Sequence, residues 1–135
     1  PMRLASRPYS IFLLALFALL LSACSGGKPE SAIEDFYRAA AKGDVETATE
    51  QISFAQVPAA QMVQAKGKVQ MIVGEMQNRI KANDGLDKIE MDQVTVDEAG
   101  KTAQVRARIK YKNGKDQTQV HKLVNEDGTW KILLK

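Results

Sequence analysis

Apolar residues obey three rules in succession along this chain. From Ile11 to Leu21 they form an unbroken run, from Ile33 to Ile80 they recur every three or four positions, and from Ile89 onward they alternate with polar residues. The second spacing puts side chains on one face of a helix, the third on one face of a strand. Helices followed by strands are therefore expected, separated by the turn residues Asn83-Asp84-Gly85.

The helical half divides into three. Ser31-Ala32-Ile33-Glu34 has the form of a capping box, in which the Ser and Glu side chains satisfy backbone N–H groups left unpaired at a helix start. It predicts a helix over 31–42 that buries Ile33, Phe36, Tyr37 and Ala40 and stops at Gly43. Asp44 caps a second, short helix carrying Val45, Ala48 and Ile52, and Pro58 breaks the pattern. A third helix over 59–81 presents Met62, Ala65, Val69, Ile72, Val73, Met76 and Ile80 on one face. Gly67 and Gly74 each cost it about 1 kcal/mol relative to alanine, and are read as room for close packing or a kink.

The second half reads as a four-stranded antiparallel meander. Ile89 and Met91 are out of phase with Val94 and Val96, which predicts a bulge near Asp92. Val105, Ala107, Ile109 and Tyr111 alternate with polar residues. Asn113-Gly114 predicts a two-residue turn pairing Lys112 with Lys115, Ile109 with Thr118 and Ala107 with Val120. Glu126-Asp127-Gly128 is read as a three-residue turn that sets Val124 opposite Trp130, so that Val120, Val124, Trp130, Ile132 and Leu134 share the buried face. The expected fold class is α+β: about three N-terminal helices packed on a curved four-stranded sheet, as one domain over 31–135.

The first rule belongs to a different kind of segment. Arg3 and Arg7 precede the 11-residue apolar run, which is shorter than the roughly 20 residues that span a bilayer. Residues 1–23 therefore read as an export signal. The run ends in Leu21-Ser22-Ala23-Cys24, which resembles the lipobox of bacterial lipoproteins, with Leu21, Ser22 and Ala23 read by the peptidase and Cys24 carrying the lipid. A thiolate is the side chain most readily alkylated, here by a diacylglyceryl group, and multiple acyl chains hold a protein to a membrane where one is marginal. Residues 24–30 are read as lipidated cysteine and flexible tether. Ser25 resembles an outer-membrane sorting signal, placing the domain on the periplasmic face of that membrane.

Composition narrows the functional classes. The formal net charge is +3, but removing Arg3 and Arg7 with the leader leaves 17 basic against 16 acidic side chains. No nucleic-acid partner is expected from that balance. With one cysteine there is no intramolecular disulfide, so packing supplies stability. No metal is expected, because His121 stands without a carboxylate cluster and Cys24 is given to lipid. No phosphate-binding glycine loop is present, and no cofactor beyond the acyl groups on Cys24 is expected.

Several short motifs occur together: Phe36-Tyr37-Arg38-Ala39, Gly43-Asp44, Ala103-Gln104-Val105, and the terminal Asp127-Gly128-Thr129-Trp130-Lys131-Ile132. In this arrangement the chain resembles small bacterial secreted and lipoprotein domains of unknown function. Their fold is similar to that of nuclear transport factor 2 and the cystatins, a curved sheet wrapping a long helix. The resemblance spans most of residues 29–135. It implies no activity, because that superfold hosts isomerases, dehydratases, adaptors and structural modules.

Within such a fold, Tyr37, Tyr111, Asp116 and Trp130 are the candidate cavity residues, and catalysis of the isomerase kind would draw on the two tyrosines or Asp116. The expected register puts His121 on the outer face with Arg106 and Gln119. Arg106, Arg108, Lys110 and Lys112 form a candidate face for anionic partners, whose ordinary reading is a solvated strand. Met62, Met71 and Met76 are read as gap fillers on the long helix. The expected function is a non-catalytic, lipid-anchored module that binds a small apolar ligand or an envelope protein, with a homodimer through the sheet as one form. The alternatives are a small isomerase- or dehydratase-like enzyme and a structural accessory subunit.

Overall fold

The computed structural model describes residues 27–134. The expected export signal, its recognition residues Leu21, Ser22 and Ala23, and Cys24 lie outside the described residues. Helix α1 (Pro29–Lys42) and helix α2 (Val45–Glu50) are followed by a two-residue strand β1 (Ile52–Ser53), a 3-10 turn (Ala59–Gln61) and the long helix α3 (Met62–Ala82). Strands β2 (Leu86–Val96), β3 (Thr102–Tyr111), β4 (Asp116–Glu126) and β5 (Thr129–Leu133) complete the sheet.

Helix α1 starts two residues before the expected capping box. Pro29 takes the first turn, where its missing N–H costs nothing, and Lys28 is the N-cap with no side-chain bond. Ser31 and Glu34 are thus inside the helix, and Glu34 pairs with Arg38 one turn on. Pro29 and Glu30, read as the end of a tether over 24–30, are thus helical. At the other end Gly43 takes φ +71°, and its N–H closes the last turn. The end of the Gln77 side chain of α3 lies against Gly43, its amide nitrogen 2.6 Å from where a Cβ would stand. Asp44 caps α2 by accepting from the Thr47 N–H at 3.2 Å.

The sheet has five strands, in the order β1-β5-β4-β3-β2. The strand absent from the sequence reading is β1: Ile52 leaves the helix and pairs in parallel with Ile132, the Ile132 N–H donating to Gln51 at 2.7 Å. Two residues are too few to show a period. The bulge near Asp92 is present, with the register shifting between Met91 and Gln93, so that Ile89, Met91, Val94 and Val96 all lie opposite the inward residues of β3. Gly67 and Gly74 are not points of close packing, since a Cβ at either would meet nothing within 4 Å.

The last two hairpins differ from expectation, by exchange of turn lengths. Between β3 and β4 the loop is three residues, Lys112-Asn113-Gly114: the Tyr111 N–H donates to the Lys115 carbonyl at 2.9 Å, and only Gly114 has positive φ. The loop is held there by the 83–85 turn, since Lys112 N–H reaches the Gly85 carbonyl at 2.9 Å and Asn113 bonds Asn83 side chain to side chain at 2.9 Å. Between β4 and β5 the turn is two residues, Asp127 at φ +55° and Gly128 at φ +91°, with Glu126 opposite Thr129. Each change is one residue, and one residue turns every side chain to the other face. The two changes cancel at β5, so Trp130 and Ile132 are buried as expected. They do not cancel on β4. There Val105 faces His121, Ala107 faces Gln119 and Ile109 faces Gln117, while Val120 lies on the outer face, 40% exposed.

The core joins α1 (Ile33, Phe36, Tyr37), α3 (Val69, Val73, Ile80) and the inward sheet residues Val105, Ile109, Leu123 and Ile132. Every buried side-chain polar atom among the described residues has a partner. Helix α3 packs on α1 and α2, and between it and the sheet a cavity remains.

Candidate functional site

The cavity holds about 280 Å³, at the small end of ligand sites. Ile72, Met76 and Ile80 of α3, Ile109 of β3 and Ile132 and Leu134 at the end of the chain form its apolar walls. Met76 therefore lines a cavity, whereas Met71 is exposed on the helix exterior. The polar wall comes from the inward face of β4, Gln117, Gln119 and His121, and from Tyr37, Tyr111 and Arg79.

These polar groups form two sets. The Tyr37 hydroxyl lies 2.8 Å from His121 Nε2, with the rings edge to face at 5.7 Å between centroids. Tyr37 is buried at 3% exposure, and loss of water pushes its phenol well above the usual tyrosine range, with Tyr111 adding to the effect and Arg79 opposing it. It is a neutral hydroxyl at any physiological pH. In the second set, the Tyr111 hydroxyl and Arg79 Nη1 each donate to Gln117 Oε1, both at 3.3 Å. Burial raises the Tyr111 phenol as well, against the opposing charge of Arg79.

Of the four candidate cavity residues, Tyr37 and Tyr111 line the cavity. Asp116 does not: it is exposed at the base of the hairpin, opposite Lys110. Trp130 is buried but serves the N-terminal end instead, its indole N–H donating to the Gly27 carbonyl at 3.0 Å. His121, expected on the outer face, is on the cavity wall, and Arg79, Gln117 and Gln119 join it there. The basic row is not an open cationic strip. Arg108 pairs with Asp92 at 3.2 Å and Lys110 with Glu90 at 2.9 Å, both acids being on β2, and Lys112 sits in the hairpin loop. Glu90 also pairs with Lys88 at 3.4 Å, and the two lysines hold its carboxyl below its ordinary range, Lys110 foremost.

The misplacement of β4 has a visible cause. Counting apolar residues favours the face of Val120 and Val124 over that of Leu123 alone. A contrary signal was present: the expected register set Lys112 directly against Lys115, a repulsive pair, whereas the observed one sets Lys110 against Asp116. Among the described residues no group of three or more His, Cys, Asp or Glu side chains is placed to hold a metal ion, and no described helix is long and apolar enough to cross a membrane.

Among solved structures, the chain is similar to a Campylobacter jejuni protein provisionally named an NTF2-like transpeptidase, with 21% identity, a TM-score of 0.73, and alignment over 80% of this chain and 99% of that one. At that identity the likeness establishes the fold, α+β of the nuclear transport factor 2 kind. The intermembrane space region of the chloroplast protein ARC6 is more distant, at 16% identity and a TM-score of 0.43 over 78% of this chain and 89% of that one, and carries no argument here. No curated protein sequence matches the chain. A family match covers residues 22–133, nearly the whole described region together with Cys24, and by it the chain belongs to the DUF4878 family, a domain of unknown function with an NTF2-like fold.

Proposed function

We propose that this protein is a lipid-anchored envelope module that binds a small, mostly apolar ligand in the cavity between α3 and the sheet, without transforming it. The observation that carries the reading is the lining itself: apolar walls with a few convergent polar groups, the composition of a recognition site rather than of a packing defect. Cys24, following Leu21-Ser22-Ala23, is the proposed anchor, on the periplasmic face of the outer membrane.

Transpeptidation, the activity in the Campylobacter protein's name, fits this cavity poorly. An acyl-enzyme needs a Ser, Thr or Cys nucleophile beside a base, and none of these, nor any Asp or Glu, is among the described residues lining the cavity. One observation favours a different enzyme, the Tyr37–His121 pair, since a buried neutral phenol is a suitable donor to an oxyanion. The test is titration of the chain from Ser25 onward with N-phenyl-1-naphthylamine, whose fluorescence rises in a dry site. One saturable site, lost in a Met76→Arg variant that keeps its circular dichroism, is expected. Absence of saturable binding in the native chain sinks the ligand-binding reading.

A further inference from the structure

The second polar set has an unusual balance of charge. Two donors, the Tyr111 hydroxyl and the Arg79 guanidinium, converge on one neutral acceptor, Gln117 Oε1, each at 3.3 Å. Those are long contacts for a guanidinium, which bonds carboxylate oxygens at roughly 2.7–2.9 Å. Arg79 makes no ion pair among the described residues. Among the described residues that line the cavity, Arg79 supplies the charged side chain on the inward walls, Lys122 being exposed on the outer face of β4, and no carboxylate is among them to offset it. An amide oxygen thus occupies the point where a phenol and a guanidinium would bind an anion, at the edge of a cavity whose other walls are apolar.

We propose that the cavity takes an anionic amphiphile, an apolar body ending in one carboxylate, whose oxygens displace Gln117 Oε1 from Arg79 and Tyr111. The proposal rests on the ligand-binding reading above and deepens it. The apolar body lies against Ile72, Met76, Ile80 and Leu134, and bonds to a charged carboxylate replace two long ones to a neutral amide oxygen. Tyr111 is buried and keeps its proton, so it donates to the carboxylate rather than repelling it. Arginine suits the task better than lysine because its planar fork meets both carboxylate oxygens at once.

The test uses the full lipidated chain in phosphatidylcholine nanodiscs, titrated calorimetrically with octanoate and with octanol, empty discs being subtracted. Octanoate is expected to bind at least tenfold more tightly than octanol. Arg79→Gln removes that preference without lowering the melting temperature, Arg79→Lys restores part of it, and Tyr111→Phe weakens octanoate severalfold. Equal binding of octanoate and octanol overturns the carboxylate assignment and leaves the cavity reading standing, and failure of both to bind overturns the two together. The source of the anion is read from competition with dihexanoyl-phosphatidylglycerol. If it displaces octanoate at lower concentration than octanoate itself requires, the ligand is a lipid headgroup and the assignment to a carboxylate fails.

Discussion

At the scale of single residues, Tyr37 and Trp130 show how one side chain serves the core with its ring and something else with its polar atom. The Tyr37 ring packs edge to face on Phe36, with centroids 5.7 Å apart, while its hydroxyl meets His121 inside the cavity. Its phenol loses its proton at higher pH folded than unfolded, so the folded chain holds the proton over a range where the unfolded chain has released it. Stability from this source is full below the unfolded tyrosine value of about 10 and falls as pH rises above it. Alkaline unfolding, followed by circular dichroism against the phenolate absorbance band, is therefore expected to be steep above that pH and shallower in Tyr37→Phe. An identical profile for the variant contradicts the assignment. Trp130 donates its indole N–H to the Gly27 carbonyl. Trp130→Phe keeps most of the ring and loses that bond, which is expected to cost about 1–2 kcal/mol and to expose the chain before Pro29 to proteolysis. Unchanged cleavage there in Trp130→Phe shows that Trp130 does not hold this end.

At the scale of elements, most of the helices and strands were legible, because a repeated spacing carries its own face. The stripe of Ile33, Phe36, Tyr37 and Ala40 in α1 and the out-of-phase bulge in β2 are both in place. What was not legible was anything decided by a few atoms in another element. The three-residue loop after β3 depends on the Gly85 and Asn83 contacts, and β1 exists only because β5 is there to pair with it. The glycines divide along the same line, with a measurable consequence. Gly67→Ala and Gly74→Ala fill open space on α3 and are expected to raise stability by roughly 0.5–1 kcal/mol each, since alanine is the better helix former. Gly43→Ala is expected to lower it by about 1–2 kcal/mol through the left-handed backbone, the flexible end of the Gln77 side chain moving aside for the methyl group. Chemical denaturation of the three variants checks both signs, and a stabilising Gly43→Ala contradicts the left-handed helix stop at Gly43.

At the scale of the whole molecule, the first described residue, Gly27, lies at one end of the sheet, bonded to Trp130. Three peptide units join Cys24 to Gly27, at most about 10 Å of extended chain, and Gly27 is held to β5 by Trp130. A lipid on Cys24 would thus seat the domain directly on the headgroups, while the cavity's polar wall begins near the other end of β4, at Gln117. Cys24→Ala is expected to abolish acylation and move the protein from the membrane to the soluble fraction; equal retention of the variant shows that the anchor lies elsewhere. By itself, the sequence determined the α+β class, the order of the helices, the buried faces of α1, α3, β3 and β5, and the lipobox-like segment, since each is written as a local period or a contiguous motif. Only the tertiary structure decided the face of β4 and with it the cavity chemistry. Turn length sets strand register, a single residue reverses every side chain on the strand, and here the loop after β3 took its length from hydrogen bonds to the turn at 83–85.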